Sequence, residues 1–473
     1  MADSQANAVL AWDTVLDLGD GPEPLVQRLE RALRGAVHAG RVPPGAALPP
    51  SRALADTLGV SRWVVTEAYG QLVAEGFCEA RVGSGTRVSA HAGPRPVAPT
   101  RTAPLPEPRA PFDLGPGVPD LRHVPRTAWA RAVHDALRDA ADAELGTADP
   151  AGAPAARTAV AGYLSRARAA TVTPDDVVVT HGATDAMTRL ARALRGAGHR
   201  TLLVEDPSWG RLRDVARDAA LTLVPVPVDD DGPDVPALVG AARRTGARAA
   251  LLTPAHQFPT GALLAPARRE QVLAWARAVD GLVIEDDYDA EFRYDRRPVG
   301  ALQGLDADRV ALVGSLSKTV SPALGLGWMT LPRRWRERLG PGFGGAPPST
   351  VDQLALARFV TGGGYERHLR AARARFRRRR AALLDSLGRH LPGLSVSGIA
   401  AGLHVVVTLP DGVSAAAVVR AAAARDVTVA DLDRYRLTRG PCDALVLGYG
   451  NLADARVDEA VARLAAAVHD ARA

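Results

Sequence analysis

From about residue 112 the chain repeats one pattern, a short apolar run followed by a longer amphipathic helical stretch. The runs are Val177-Val178-Val179, Leu202-Leu203-Val204, Leu221 to Val228, Ala249 to Thr253, Leu282-Val283-Ile284 and Val310 to Val313. Strands alternating with helices pair in parallel, and strands buried on both faces read as unbroken apolar segments. The pattern predicts an α/β domain whose doubly wound, mostly parallel sheet is covered by helices on both faces. After Gly344 a long Arg/Ala-rich helical stretch gives way to mixed elements, a smaller C-terminal α+β subdomain over about residues 345–473. Residues 91–111 hold seven prolines, the composition of an extended linker without a core of its own. The expected organisation is an N-terminal domain over 1–90, a linker over 91–111 and the α/β domain over 112–473.

A chain of 473 residues is long enough for two or three domains. Its net charge of +6 permits a polyanionic partner without requiring one, because arginine is spread along the chain. The run Arg373, Arg375, Arg377, Arg378, Arg379, Arg380 is read as a solvated or dimer-facing helix surface rather than a nucleic-acid patch. The two cysteines, Cys78 and Cys442, offer neither a disulfide framework nor a metal-ligand spacing, so no metal is expected. With no signal peptide pattern and no apolar run able to span a bilayer, the expected location is the cytoplasm, away from membranes.

The N-terminal segment reads as short helices. Leu25, Leu29, Leu33 and Val37 make one face of the first, closed by Gly40 and Pro43-Pro44-Gly45. Ser51 is expected to cap a second helix ended by Gly59, and Ser61 a third that buries Val65, Ala68, Tyr69 and Leu72. Arg62, Trp63 and Thr66 then lie on the opposite, early-turn face, the geometry that lays a helix N-terminus into the major groove of duplex DNA. The tight, basic-rimmed hairpin Arg81 to Arg87 follows. LPPSRALADTLGVSRWVVTEAYGQLVAEGF with RVGSGTRV resembles the winged helix-turn-helix of the GntR family of bacterial regulators. The resemblance implies DNA contacts from Arg52, Ser61, Arg62, Trp63, Thr66 and the wing residues Gly83, Ser84, Gly85 and Thr86.

Of the 58 basic residues only Lys318 is a lysine. A guanidinium does not release its proton, whereas an ε-amine can become the neutral nucleophile of a Schiff base. Lys318 sits in Ser315-Leu316-Ser317-Lys318-Thr319, directly after a strand-like run. Other runs end in chemistry too: Leu282-Val283-Ile284 leads into Glu285-Asp286-Asp287-Tyr288, where Asp286 can pair with a pyridinium nitrogen and Tyr288 can reach the 3′ oxygen of pyridoxal phosphate. Thr180-His181-Gly182-Ala183-Thr184-Asp185 opens a helix whose free N–H groups suit a phosphate. Glu205-Asp206-Pro207-Ser208-Trp209-Gly210 brings an indole able to stack on the ring, and Thr253 to Gly261 makes a rigid turn.

The order of these segments resembles a fold-type I aminotransferase over residues 112–473. With the head and linker, the whole chain resembles the MocR subfamily of GntR regulators, whose aminotransferase-like domain serves as an effector sensor. The resemblance implies pyridoxal 5′-phosphate in a Schiff base with Lys318 and held by Asp286, Tyr288, Trp209, Gly182, Ala183, Thr184, Ser315, Ser317 and His256. It implies a homodimer that binds double-stranded DNA and responds to the cofactor or to an amine or amino-acid effector. Three positions depart from the aminotransferase pattern: Gly325 stands where an arginine usually holds the phosphate, Phe258 where an Asn precedes Pro-Thr-Gly, and Val446 where an arginine clamps the substrate carboxylate. Little or no steady-state transamination is expected unless Arg211 replaces that clamp. A working aminotransferase with an accessory DNA-binding head and a regulator whose large domain only dimerises are the alternatives.

Overall fold

The computed structural model describes residues 12–81, 85–92, 110–146, 148–295, 299–340, 342–440 and 443–472. They fall into two compact units, Met1–Glu107 and Pro108–Ala473.

The first unit packs helices Leu25–His38, Ser51–Leu58 and Arg62–Ala74 against the hairpin of β1 (Cys78–Arg81) and β2 (Gly85–Val88). Its core joins Leu29, Leu33 and Val37 to Leu54, Val65, Ala68 and Leu72. Leu25, expected on that buried face, is 40% exposed because it opens its helix one turn above the core. Gly59 ends the second helix in the left-handed region (φ 65°), a conformation that costs glycine no Cβ clash. Ser61 caps the third by accepting from the Val64 amide at 3.4 Å. The expected cap at Ser51 is not made: Pro50 holds the cap position, Ser51 is the first helical residue, and its hydroxyl accepts from Arg62 Nε at 3.4 Å.

In the second unit, β3 (Phe112–Asp113) is followed by β4 (Val177–Thr180), β5 (Thr201–Asp206), β6 (Thr222–Asp229), β7 (Gly232–Pro233), β8 (Ala249–Leu252), β9 (Leu282–Asp286), β10 (Val310–Ser315) and β11 (Gly327–Thr330). An eight-stranded sheet runs in the order β4-β11-β10-β9-β8-β5-β6-β7. The neighbours from β10 through β6 pair in parallel; β11 runs antiparallel to both β10 and β4. The two-residue period of a strand sends Ala249 and Leu251 into the core under helices Ala183–Gly196 and Gly210–Asp218. It sends Ala250 and Leu252 into the core under helices Val235–Thr245 and Pro266–Ala278. Both faces of the sheet are thereby covered, as the apolar runs require.

The C-terminal part adds β12 (Ser395–Ser397), β13 (His404–Thr408), β14 (Val427–Thr428), β15 (Ala430–Asp431) and β16 (Ala444–Gly448). An antiparallel sheet of order β12-β13-β16-β15 packs with helices Gly364–His390, Ala415–Ala423 and Val457–Asp470, while β14 pairs with β3. The arginine run on Gly364–His390 is not one surface. Arg377 and Arg378 are exposed, but Arg379 is buried, bonding Asp120 at 2.8 Å, Asp454 at 2.6 Å and the carbonyls of Tyr449 and Gly450. Among the described residues no helix is long and apolar enough to cross a membrane.

Candidate functional site

Parallel strands joined by right-handed crossovers open their C-terminal ends on one edge, where loops diverge and leave a crevice. Here the ends of β4, β5, β9 and β10 deliver Gly182, Trp209, Asp286 and Lys318 to one cavity. Ala183, Thr184, Tyr288, Ser315 and Ser317 line it as well, so nine of the ten residues expected around a cofactor share one wall system. The tenth, His256, lies just behind: its Nδ1 is 3.0 Å from the Tyr288 hydroxyl and 3.0 Å from an Asp289 oxygen.

Each of the five carboxylates between Glu285 and Glu291 is buried. Four have partners. Glu285 accepts from the Leu302 and Gln303 amides, Asp287 forms a two-pronged pair with buried Arg168 at 2.7 and 2.9 Å, Asp289 meets His256, and Glu291 accepts from Tyr163 at 2.7 Å. Asp286 has none: one of its carboxylate oxygens is buried without a hydrogen-bond partner, as is the second oxygen of Glu291, but only Asp286 of the two lines the cavity. Burial, then the charge of Asp287, pushes its carboxyl up to about 7, against a downward pull from Lys318. A buried acceptor left without a donor is costly, so this oxygen marks where a donor from outside the chain belongs.

The phosphate side is built from backbone. Gly182 caps helix Ala183–Gly196 at φ 89°, with no side chain occupying the helix's first amides. Gly327, at the start of β11, presses on it: a Cβ there would stand 2.6 Å from Gly182 Cα. Gly325 closes a turn in the left-handed region (φ 59°), open on its Cβ side, so an arginine there would carry backbone strain. On the ring side, the Trp209 indole stacks on Tyr435 (6.0 Å, 19°) and meets Phe258 edge-on (5.1 Å, 88°). Lys318 Nζ lies 5.3 Å from the Trp209 ring and donates to the Gly117 carbonyl.

Phe258, Tyr435, Val406, Ala444 and the fully buried Val446 form an apolar cluster with Trp209 and Tyr288 packed against it. The place the aminotransferase pattern gives to a carboxylate-clamping arginine is thus the middle of a hydrophobic strand. Arg211 is not brought to the cavity; it is exposed on helix Gly210–Asp218. Arg213, two residues on, is buried instead and donates to the Tyr435 carbonyl at 2.7 Å. Of the lining residues, Gly117, His181, Leu212, Leu403 and His404 were not anticipated. Gly117 belongs to the turn Gly115-Pro116-Gly117, a signal present in the sequence, and is held at φ 94°. His404 is kept neutral, its imidazole pushed down to about 3 by burial and by His256, and it faces the Pro259 carbonyl at 3.0 Å.

In the N-terminal unit, Arg52, Ser61, Arg62, Trp63 and Thr66 are all exposed at the start of their two helices, and Trp63 is 66% exposed, unusual for an indole without a ligand. Gly85 and Thr86 open β2, whereas Gly83 and Ser84 lie outside the described residues.

Residues 25–88 match the model of the bacterial regulatory proteins of the gntR family, and residues 110–443 that of the aminotransferases of class I and II. The pyridoxine biosynthesis transcriptional regulator PdxR of Corynebacterium glutamicum is 32% identical over 91% of this chain and 93% of its own length. The probable rhizopine catabolism regulatory protein MocR of Rhizobium meliloti is 31% identical over 92% of this chain and 91% of its own. Among solved structures, an archaeal alanine:glyoxylate aminotransferase superposes with a TM-score of 0.69 at 22% identity, covering 76% of this chain and 91% of that one. An aminotransferase domain of this class implies pyridoxal phosphate, and the cavity fits it: the unpartnered Asp286 oxygen suits a protonated ring nitrogen, and the uncapped amides after Gly182 suit a phosphate. The chain belongs to the gntR family of bacterial regulators, in the MocR and PdxR type that joins a helix-turn-helix head to an aminotransferase-like domain.

Proposed function

We propose that this regulator reads duplex DNA through Arg52, Ser61, Arg62, Trp63, Thr66 and the wing, and that the cavity around Lys318 sets how firmly it does so. The observation that carries the sensing half is the buried, unpartnered oxygen of Asp286 beside the chain's one lysine. In this reading Lys318 would hold pyridoxal phosphate through its amine, Asp286 would pair with the ring nitrogen, and Trp209 would pack against the ring. Tyr288, positioned by His256, would bond the 3′ oxygen, while the amides from Gly182 to Thr184 with the Ser315 and Ser317 hydroxyls would hold the phosphate. Pyridoxal phosphate, when bound, supplies a carbon to which amines add. The effector is the cofactor itself, as the name of the Corynebacterium relative suggests, or an amine or amino acid that meets it there. Fold-type I pockets are generally completed by a neighbouring subunit, so the working form is a homodimer, in the cytoplasm where its DNA is.

The apolar cluster around Val446 favours sensing over turnover, because transamination requires the substrate carboxylate to be fixed so that its α-proton faces the lysine. The DNA-reading half is tested in the full chain on a duplex selected from a random pool. Arg62→Ala is expected to weaken binding by about 1–3 kcal/mol, with relaxed preference at one position if Arg62 reads a base, or uniformly if it holds a phosphate. Unchanged isotherms for both Arg52→Ala and Arg62→Ala would remove the head from the contact.

A further inference from the structure

The start of helix Arg62–Ala74 carries a side chain that the head's own fold does not use. Of the seven tryptophans only Trp63 is exposed, at 66%, while the other six are buried or half-buried. Its indole has no hydrogen bond, ring stack or ion pair among the described residues. An indole left in water forfeits the apolar burial that ordinarily holds tryptophan inside. With about 3.6 residues per turn, Val65, Ala68 and Leu72 mark the core side of this helix, and Trp63 stands opposite them.

The rest of that outer face offers little competition. Arg62 lies at one edge, tied through its Nε to the Ser51 hydroxyl at 3.4 Å. Thr66 already donates its hydroxyl to the Arg62 carbonyl at 3.0 Å. Glu67 lies exposed at the other edge, an acceptor only while ionised. Gly70 follows on the line of Trp63, and a Cβ there would meet nothing within 4 Å, so packing within the head does not require a glycine. Glycine inside a helix costs stability, and here it leaves the strip beyond the indole bare for a surface approaching from outside.

We propose that Trp63 selects a base, by packing its indole on the C5 methyl of one thymine in the major groove. This rests on the reading of the head as DNA-binding through Arg52 and Arg62, and adds what it prefers to bind. A helix-turn-helix head sends the first residues of its second helix to the base edges, so the residue after Arg62 enters the groove with it. The thymine methyl is the apolar group displayed there, among hydrogen-bond donors and acceptors. The indole N–H alone discriminates poorly, because guanine, adenine and thymine all present it an acceptor; selection falls to the apolar contact. Phosphates repel the Glu67 carboxylate, which turns this face toward bases rather than the backbone. A protein surface is the other thing an exposed indole could meet; the place beside Arg62 decides for DNA.

The test uses the full chain and the duplex selected from a random pool, with each thymine in turn replaced by deoxyuridine, which keeps its pairing and loses only the methyl. Salt is kept low, so that phosphate contacts hold every variant on the DNA. The wild type is expected to lose about fourfold in affinity at one thymine per head, the effect of burying one methyl. In Trp63→Ala the same replacement is expected to change affinity by less than about 1.5-fold, whereas Trp63→Phe, which keeps an apolar ring, is expected to retain the loss. A wild type indifferent to every replacement would overturn the proposal. A methyl effect of the same size in Trp63→Ala would overturn it too. If that variant also bound as the wild type does, the indole would belong to a protein contact; if it bound more weakly on every duplex, the indole would belong to the sugar–phosphate backbone. Failure of the head is a separate result, read on the parent duplex through Arg52→Ala and Arg62→Ala without the deoxyuridine series.

Discussion

Lys318→Ala is expected to abolish covalent retention of pyridoxal phosphate completely while leaving the protein folded. Reduction with borohydride followed by proteolysis should put the pyridoxyl mass of the wild type on the Lys318 peptide, and the variant should carry none on any peptide. The expectation is all-or-none because no other side chain in the chain has a primary amine. Folding survives because the lysine's bond to the Gly117 carbonyl contributes about 1 kcal/mol. Its neighbours Leu316 and Val320 supply the burial at that turn. A wild-type protein that remains colourless with added cofactor would instead support the reading in which the large domain only dimerises.

Arg379→Leu is expected to destabilise the protein by about 3 kcal/mol, the lower end of the cost of breaking a buried ion pair, because Arg122 still donates to Asp120 at 2.8 Å. Burial pushes the Asp120 carboxyl up, but the hydrogen bonds from Arg122 and Arg379 outweigh it and hold the group at about 2. Removing Arg379 leaves that charge beside the orphaned carbonyls of Tyr449 and Gly450. Urea unfolding measures the loss. Arg378→Leu, one residue away but exposed and unpaired, should stay within about 0.5 kcal/mol of the wild type. Equal effects at the two positions would mean that the knot at Asp120 does not hold the domain together.

The same two arginines show what the sequence made legible. Read as a run, they look like one surface; read in helical phase with Leu369, Phe376 and Leu383, Arg379 falls on the buried face and Arg377 and Arg378 do not. Arg211 and Arg213 repeat the lesson on helix Gly210–Asp218, where Leu212, Arg213, Val215 and Ala216 face inward. Gly59 and Ser61 could be assigned directly because helix ends are set by local chemistry. Ser51 could not, because Pro50 takes the cap conformation without offering a side-chain acceptor.

At the cavity, Gly182, Trp209, Asp286 and Lys318 were recognisable because each follows an apolar run, and a parallel sheet gathers such ends on one edge. Gly117 reaches Lys318 across 201 residues of chain, and His404 arrives on a strand of the other sheet. No local spacing encodes those approaches. The antiparallel β11 was also hidden, since Gly327–Thr330 is four residues long and directly follows a glycine turn.

The central claim is that the cavity around Lys318 governs the head's hold on DNA. The direct measurement is the binding isotherm of the full chain on its selected duplex, with and without saturating pyridoxal phosphate, for the wild type and for Lys318→Ala. Ligands coupled through two protein states change each other's affinity by roughly 5- to 150-fold. A shift of at least about fivefold in the wild type, absent in Lys318→Ala, is the predicted result; wild-type isotherms that superimpose with and without the cofactor would contradict it.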